Sequence, residues 1–210
     1  MDSRSLLRKE RQALCDTLSS LGPDAPTLCE GWTTADLAAH LQVREREPLA
    51  AAGIVLPGPF VALNHHRMEA AKAGGYQRLI EWLRGGPYGL WRLGPMQAVN
   101  VGEYFVHHED ARRANGMEPR PSDPDLDMAL WRMLPVAGRR QLRGLRGFGV
   151  VAQRPDGRSA VLRKGFPEVE ISGAPGEVVL YLMGRKQAAR VELSGSEMAV
   201  AALSNAPLRA

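Results

Sequence analysis

The 210-residue sequence predicts an α+β protein: a four-helix bundle over residues 1–135, then a small sheet-and-helix domain over residues 136–210. Two observations carry this. Before Pro135, apolar residues recur at three- and four-residue intervals in long stretches bounded by Gly and Pro, the signature of helices with one buried face. Beyond Pro135, short runs rich in Val, Ile and Leu alternate with turn residues, as strands do. With 44% hydrophobic residues, the chain has enough apolar surface to fold around a core without staples.

The first helix runs from Ser5 to Leu21, on a stripe of Leu6, Leu7, Leu14, Cys15, Leu18 and Leu21, and Gly22-Pro23 ends it. Thr33, three residues before Asp36, has the spacing of a capping box and opens a second helix expected from Thr34 to Ala52. Its inner stripe is Leu37, His40, Leu41 and then Arg44 or Glu45. Pro57-Gly58-Pro59 breaks the chain before a third helix over Phe60–Leu83, interrupted near Gly74-Gly75. Pro95 opens a fourth, with Met96, Val99, Glu103, Val106 and Asp110 on one face, and Asn115-Gly116 stops it. Short connections between such helices argue for a bundle.

In the second part, Phe148–Gln153 and Ala160–Lys164 flank Pro155-Asp156-Gly157-Arg158, a turn that predicts a hairpin. Val169–Ser172 and Val191–Ser194 read as further strands. A short helix is expected between Ala174 and Gly184, and a last one from Ser196, as its cap, to Leu203.

Composition narrows the function. Only Cys15 and Cys29 occur, the start Met1-Asp2-Ser3-Arg4 lacks a basic-then-apolar leader, and no apolar run reaches membrane-spanning length. The expectation is a cytoplasmic protein with two reduced thiols and no membrane partner. The net charge of +4 is mostly arginine, with a local concentration from Arg132 to Arg146. No aromatic residues interleave them as a single-strand binder requires, so they read as a solvated connector and nucleic acid is not the expected partner.

The chemistry points to two helices. Glu103 and His107 are four apart, so their side chains lie about 5–6 Å from one another on one helical face. His40 sits on the apolar face of the second helix, where an unpaired imidazole carries a desolvation cost that a bound cation removes. Two histidines and a carboxylate form a ligand set that leaves a coordination position open. Asp110, one turn beyond His107, is placed to hold that ring by a hydrogen bond or to bind the ion weakly. Against this stands the plainer reading, in which each histidine is a hydrogen-bonded core residue and the charged Glu103–Asp110 stretch a solvated face. Of the adjacent pairs, His108 is expected to point away from His107 and be exposed, and only one of His65 and His66 can line an entrance. Trp32 reads as a loop anchor or as a wall of the pocket.

The stretch Cys29-Glu30-Gly31-Trp32-Thr33-Thr34-Ala35-Asp36-Leu37-Ala38-Ala39-His40-Leu41, with Glu103-x-x-x-His107-x-x-Asp110 downstream, resembles the amino-terminal domain of mycothiol-dependent maleylpyruvate isomerases. These belong to the DinB-like metal-binding superfamily of four-helix bundles, which includes many actinobacterial proteins. The segments Val169–Gly173, Gly176–Arg185 and Val191–Leu193 resemble the family's carboxy-terminal domain, itself similar to sterol carrier proteins. The resemblance implies that His40, Glu103 and His107 hold a divalent metal, usually zinc. It further implies mycothiol as the thiol that attacks a small electrophilic substrate, in a transferase or isomerase acting as a monomer or homodimer. Arg185, next to Gly184 in the matching segment, is its candidate for a substrate carboxylate, and Arg78 and Arg84 are alternatives from the third helix. A non-catalytic metal or small-ligand binder and a metal-dependent hydrolase remain the alternatives.

Overall fold

A computed structural model describes residues 2–47, 59–86 and 88–208. The chain divides into two compact units, Met1–Arg120 and Pro121–Ala210. In the first lie α1 (Ser3–Leu21), α2 (Thr34–Arg46), α3 (Pro59–Ala73), α4 (Tyr76–Gly85), a 3-10 turn (Gly89–Arg92) and α5 (Gly94–Ala114). In the second lie α6 (Pro124–Gln141), β1 (Gly149–Gln153), β2 (Ser159–Arg163), β3 (Glu168–Ser172), α7 (Pro175–Leu182), β4 (Glu192–Gly195) and α8 (Glu197–Ser204). Among the described residues, no helix is long and apolar enough to cross a membrane.

Helix α1 starts where Asp2 caps Ser5 N at 2.8 Å and buries Leu6, Leu7, Leu14, Cys15 and Leu18. That face packs against α5 and α4, while α2 packs against α3 and α4. Thr33 and Asp36 form the expected capping box at the start of α2. The tail of α2 expected over residues 48–52, and the Pro57-Gly58-Pro59 break up to residue 58, lie outside the described residues. The single third helix becomes two, because Gly75 takes a φ of 97° that only glycine adopts freely.

Helices α2 and α5 keep their backbones apart and meet through long side chains. Between them lie His40, Arg44 and Glu45 from one helix and Asn100, Glu103, Tyr104 and His107 from the other, at helical spacing on each. All but Glu103 are buried. Two expectations for α5 need correction. Val99 is 48% exposed, since the inward face is shifted by one residue onto Asn100. His108 is buried and not exposed: α1 covers that side of the helix, and Thr17 Oγ1 lies 2.9 Å from its Nε2.

The second unit has a four-stranded sheet in the order β2-β1-β3-β4, with β1 antiparallel to β2 and parallel to β3, and β4 antiparallel to β3. Helix α6 runs through Pro135, so the division expected at 135/136 falls inside a helix, and part of the supposed arginine connector is helical. It buries Leu126, Leu130, Leu134 and Ala137, packs on α7 and lies against β2, where Gly138 allows close approach to Leu162. Arg132, Arg139, Arg140, Arg143 and Arg146 are all exposed. Ser196 occupies the N-cap of α8, but its side chain makes no capping hydrogen bond there, contrary to expectation.

Candidate metal centre

Three donor atoms from α2 and α5 converge within the first unit. His40 Nε2 lies 3.5 Å and His107 Nε2 3.4 Å from the same oxygen, Glu103 Oε1, and one ligand atom from each residue falls within 4.8 Å of the others. The two imidazole rings stand edge-to-face with centroids 5.2 Å apart. A tetrahedral ion with bonds of about 2.0–2.2 Å separates its ligand atoms by roughly 3.3–3.6 Å, so this spacing fits one cation with little rearrangement. Both histidines are buried, whereas 27% of the Glu103 side chain is exposed, so the cluster opens to solvent on the carboxylate's side.

Each donor is held by a neighbour. His107 Nδ1 is 3.0 Å from Asp110 Oδ2, and Asp110 is fully buried. A carboxylate there holds the proton on Nδ1 and turns Nε2 toward Glu103. The Trp32 ring lies against His40, tilted by 52° with centroids 5.0 Å apart, which makes it a wall of the site. The Arg44 Nε lies 3.2 Å from Glu103 Oε1; its guanidinium also donates to Asn100 Oδ1 and sits 4.0 Å over the Trp91 ring.

The electrostatics follow from this crowding. Burial pulls the His40 pKa down, and the nearby His107 and Arg44 reinforce the shift against the pull of Glu103. Burial alone would push Glu103 up, yet Arg44, His107 and His40 together hold it well below the ordinary carboxylate range. For His107 the desolvation is overcome by Asp110, Cys29 and Glu103, which hold its pKa well above the usual value. The pocket thus presents an anionic carboxylate between two imidazoles, one of them in contact with two anionic groups.

Sequence reasoning missed Cys29, which lies in the quoted motif but reads there only as a reduced thiol. Neither cysteine is in a disulfide. The loop from Gly22 to Thr33 carries Cys29 over the end of α5: Gly31 turns at a φ of 74°, Trp32 N bonds Cys29 O, and Leu28 N bonds Asp110 O at 3.2 Å. Cys29 Sγ then meets Asp110 Oδ2 at 3.3 Å. Also missed was a buried network behind the site, in which Glu45 Oε1 accepts from Arg11, from Asn100 at 3.1 Å and from Tyr104 at 3.1 Å. The four-residue spacing of Asn100 and Tyr104 on one helix, with Glu45 on the inner stripe of the other, was the available signal.

Other candidates lie elsewhere. His65 and His66 are exposed on α3, with His65 paired to Glu69. Arg78 is exposed and Arg84 pairs with Asp16 at 2.7 Å. Arg185 is in the second unit, nearly buried, its Nη1 donating to Met183 O at 2.6 Å.

No protein-family model matches this chain, and no curated protein matches it. Among solved structures, it is similar in fold to the crystal structure of a mycothiol-dependent maleylpyruvate isomerase. That match has 21% identity and a TM-score of 0.55, and covers 91% of each chain. A histidine-to-alanine mutant of such an enzyme matches at 20% identity, with the same coverage and TM-score. At this identity the likeness is one of fold.

Proposed function

We propose that this chain binds one divalent cation, zinc, through His40, Glu103 and His107, and that the cation's open position takes the thiol of mycothiol for a transferase or isomerase reaction on a small electrophilic substrate. The observation that carries this is the convergence of the three donors, with both imidazole nitrogens at tetrahedral edge length from Glu103 Oε1 and Asp110 orienting the His107 ring. When bound, the cation lowers the pKa of a thiol and so supplies a nucleophilic thiolate at neutral pH.

The protein's own groups divide the remaining work. Burial beside Trp32 keeps His40 a neutral, available nitrogen donor, whereas His107, its proton held by Asp110 and Glu103, gives up the Nε2 proton to solvent when an ion binds. Glu103 brings the charge, and Arg44 restrains its free rotation from one side. The exposed flank of Glu103 is the side by which a thiol enters. In this reading the first unit is the four-helix bundle and the second the sterol-carrier-like domain of a cytoplasmic, actinobacterial enzyme, monomeric or homodimeric. Arg185 is its candidate for a carboxylate of the substrate.

The test is metal analysis of the purified protein followed by thermal shift with mycothiol. Wild-type protein is expected to hold about one equivalent of zinc and His40→Ala to lose most of it. Mycothiol at ten times its Kd should then stabilise the zinc-loaded protein by about 1.4 kcal/mol. Zinc content unchanged by His40→Ala would overturn the ligand set. A loaded protein indifferent to millimolar mycothiol would overturn the thiol reading in favour of a hydrolase or a non-catalytic binder.

A further inference from the structure

The His107 ring stands between two sets of donors. Its Nε2 faces His40 and Glu103, and its Nδ1 faces Asp110 and Cys29. We propose that Cys29, His107 and Asp110 form a second station for a soft divalent cation, alternative to the first and sharing its imidazole.

Geometry supports the station. The distances are 3.0 Å from His107 Nδ1 to Asp110 Oδ2 and 3.3 Å from Cys29 Sγ to the same oxygen, and one ligand atom of each residue lies within 4.8 Å of the other two. Bonds of about 2.3 Å to sulfur and 2.0–2.2 Å to nitrogen and oxygen call for separations only a few tenths of an ångström wider. Cys29 is on a loop and half-buried, which leaves an entry path, while Asp110 is fully buried.

Charge supports it as well. The first triad has a single anion, Glu103, and that anion already faces the Arg44 guanidinium. The second brings a carboxylate and a thiol that loses its proton to solvent on binding, so a doubly charged cation meets two negative ligands. Thiolate also selects soft ions such as cadmium over harder ones. The two stations alternate because a neutral imidazole has one lone pair. An ion on Nε2 leaves the Nδ1 proton to Asp110; an ion on Nδ1 leaves the Nε2 proton to Glu103. One ion per chain follows, placed by its softness.

Cadmium titration of the full-length protein, stripped with a chelator, tests this through the near-ultraviolet sulfur-to-metal charge-transfer band. Wild type should develop the band to saturation at about one equivalent of cadmium. His40→Ala should keep it undiminished, and Cys29→Ser should lose it while still binding cadmium through the first triad. Cys15 is an internal control, since it is buried with its thiol pKa pushed up to about 11. No band in cadmium-loaded wild type would overturn the proposal and leave Cys29 and Asp110 as groups that only orient His107. A band that survives Cys29→Ser, or one that vanishes with His40→Ala, would overturn it too. Failure of the zinc and mycothiol tests above would not touch the band, so the two readings fail separately.

Discussion

At the scale of single residues, the candidate site is defined as much by the groups behind its donors as by the donors. Asp110→Asn keeps the shape but loses the anion that holds the His107 tautomer, and zinc affinity should fall about 10–100-fold. Competition against a chromogenic chelator measures this; unchanged affinity would mean that Asp110 does not orient the ring. His108 gives a separate, pH-dependent prediction. Burial, with Arg120 and Arg112 nearby, lowers its pKa to about 3. Between that value and its ordinary value near 6.5, the unfolded chain takes up a proton that the folded chain refuses, so stability falls as pH falls through this window. The slope from this one group is up to about 1.4 kcal/mol per pH unit. Denaturant unfolding of metal-free His108→Gln should show a shallower acid limb between pH 6 and 4 than wild type, and an identical limb would contradict the assignment. Residue by residue, His40, Glu103, His107 and Asp110 were legible because helical spacing places them on inward faces. Cys29 was not, because nothing in its neighbourhood states that its loop closes over α5. His108 was misread because one helix face was assumed buried, whereas α5 is covered on two sides.

At the scale of elements, caps and glycines carried most of the legible information. The Thr33 and Asp36 capping box fixed the start of α2, and with it the direction in which His40, about two turns on, points toward α5. Thr33→Ala should destabilise the protein by about 1 kcal/mol and lower Tm, with α2 fraying first. Calorimetry on the metal-free protein measures this, and an unchanged Tm would show that the cap is redundant. Gly22 and Asn115 ended α1 and α5 as the sequence suggested. Helix α6 escaped notice although Asp123 caps it and Leu126, Leu130 and Leu134 recur every four residues. Pro135 and the arginines that follow it obscured that stripe; in the fold, Pro135 costs one backbone donor and the helix continues.

At the scale of the whole molecule, each unit has its own core, and the candidate centre draws every donor from the first. That unit is closed by a buried ion network in which Arg120 reaches Glu10 on α1 and Glu109 on α5, both at 2.9 Å. A chain ending at Arg120 should therefore unfold cooperatively and bind zinc with wild-type stoichiometry, as circular dichroism and metal analysis will show; an unfolded fragment would mean that the units depend on one another. The central claim is that α2 and α5 grip one cation between them. Anomalous diffraction at the zinc absorption edge, from crystals of the zinc-loaded protein, tests it most directly. The account predicts a peak about 2.0–2.2 Å from His40 Nε2, His107 Nε2 and a Glu103 oxygen. An ordered site without a peak, or zinc bound away from both His40 and Glu103, would contradict it.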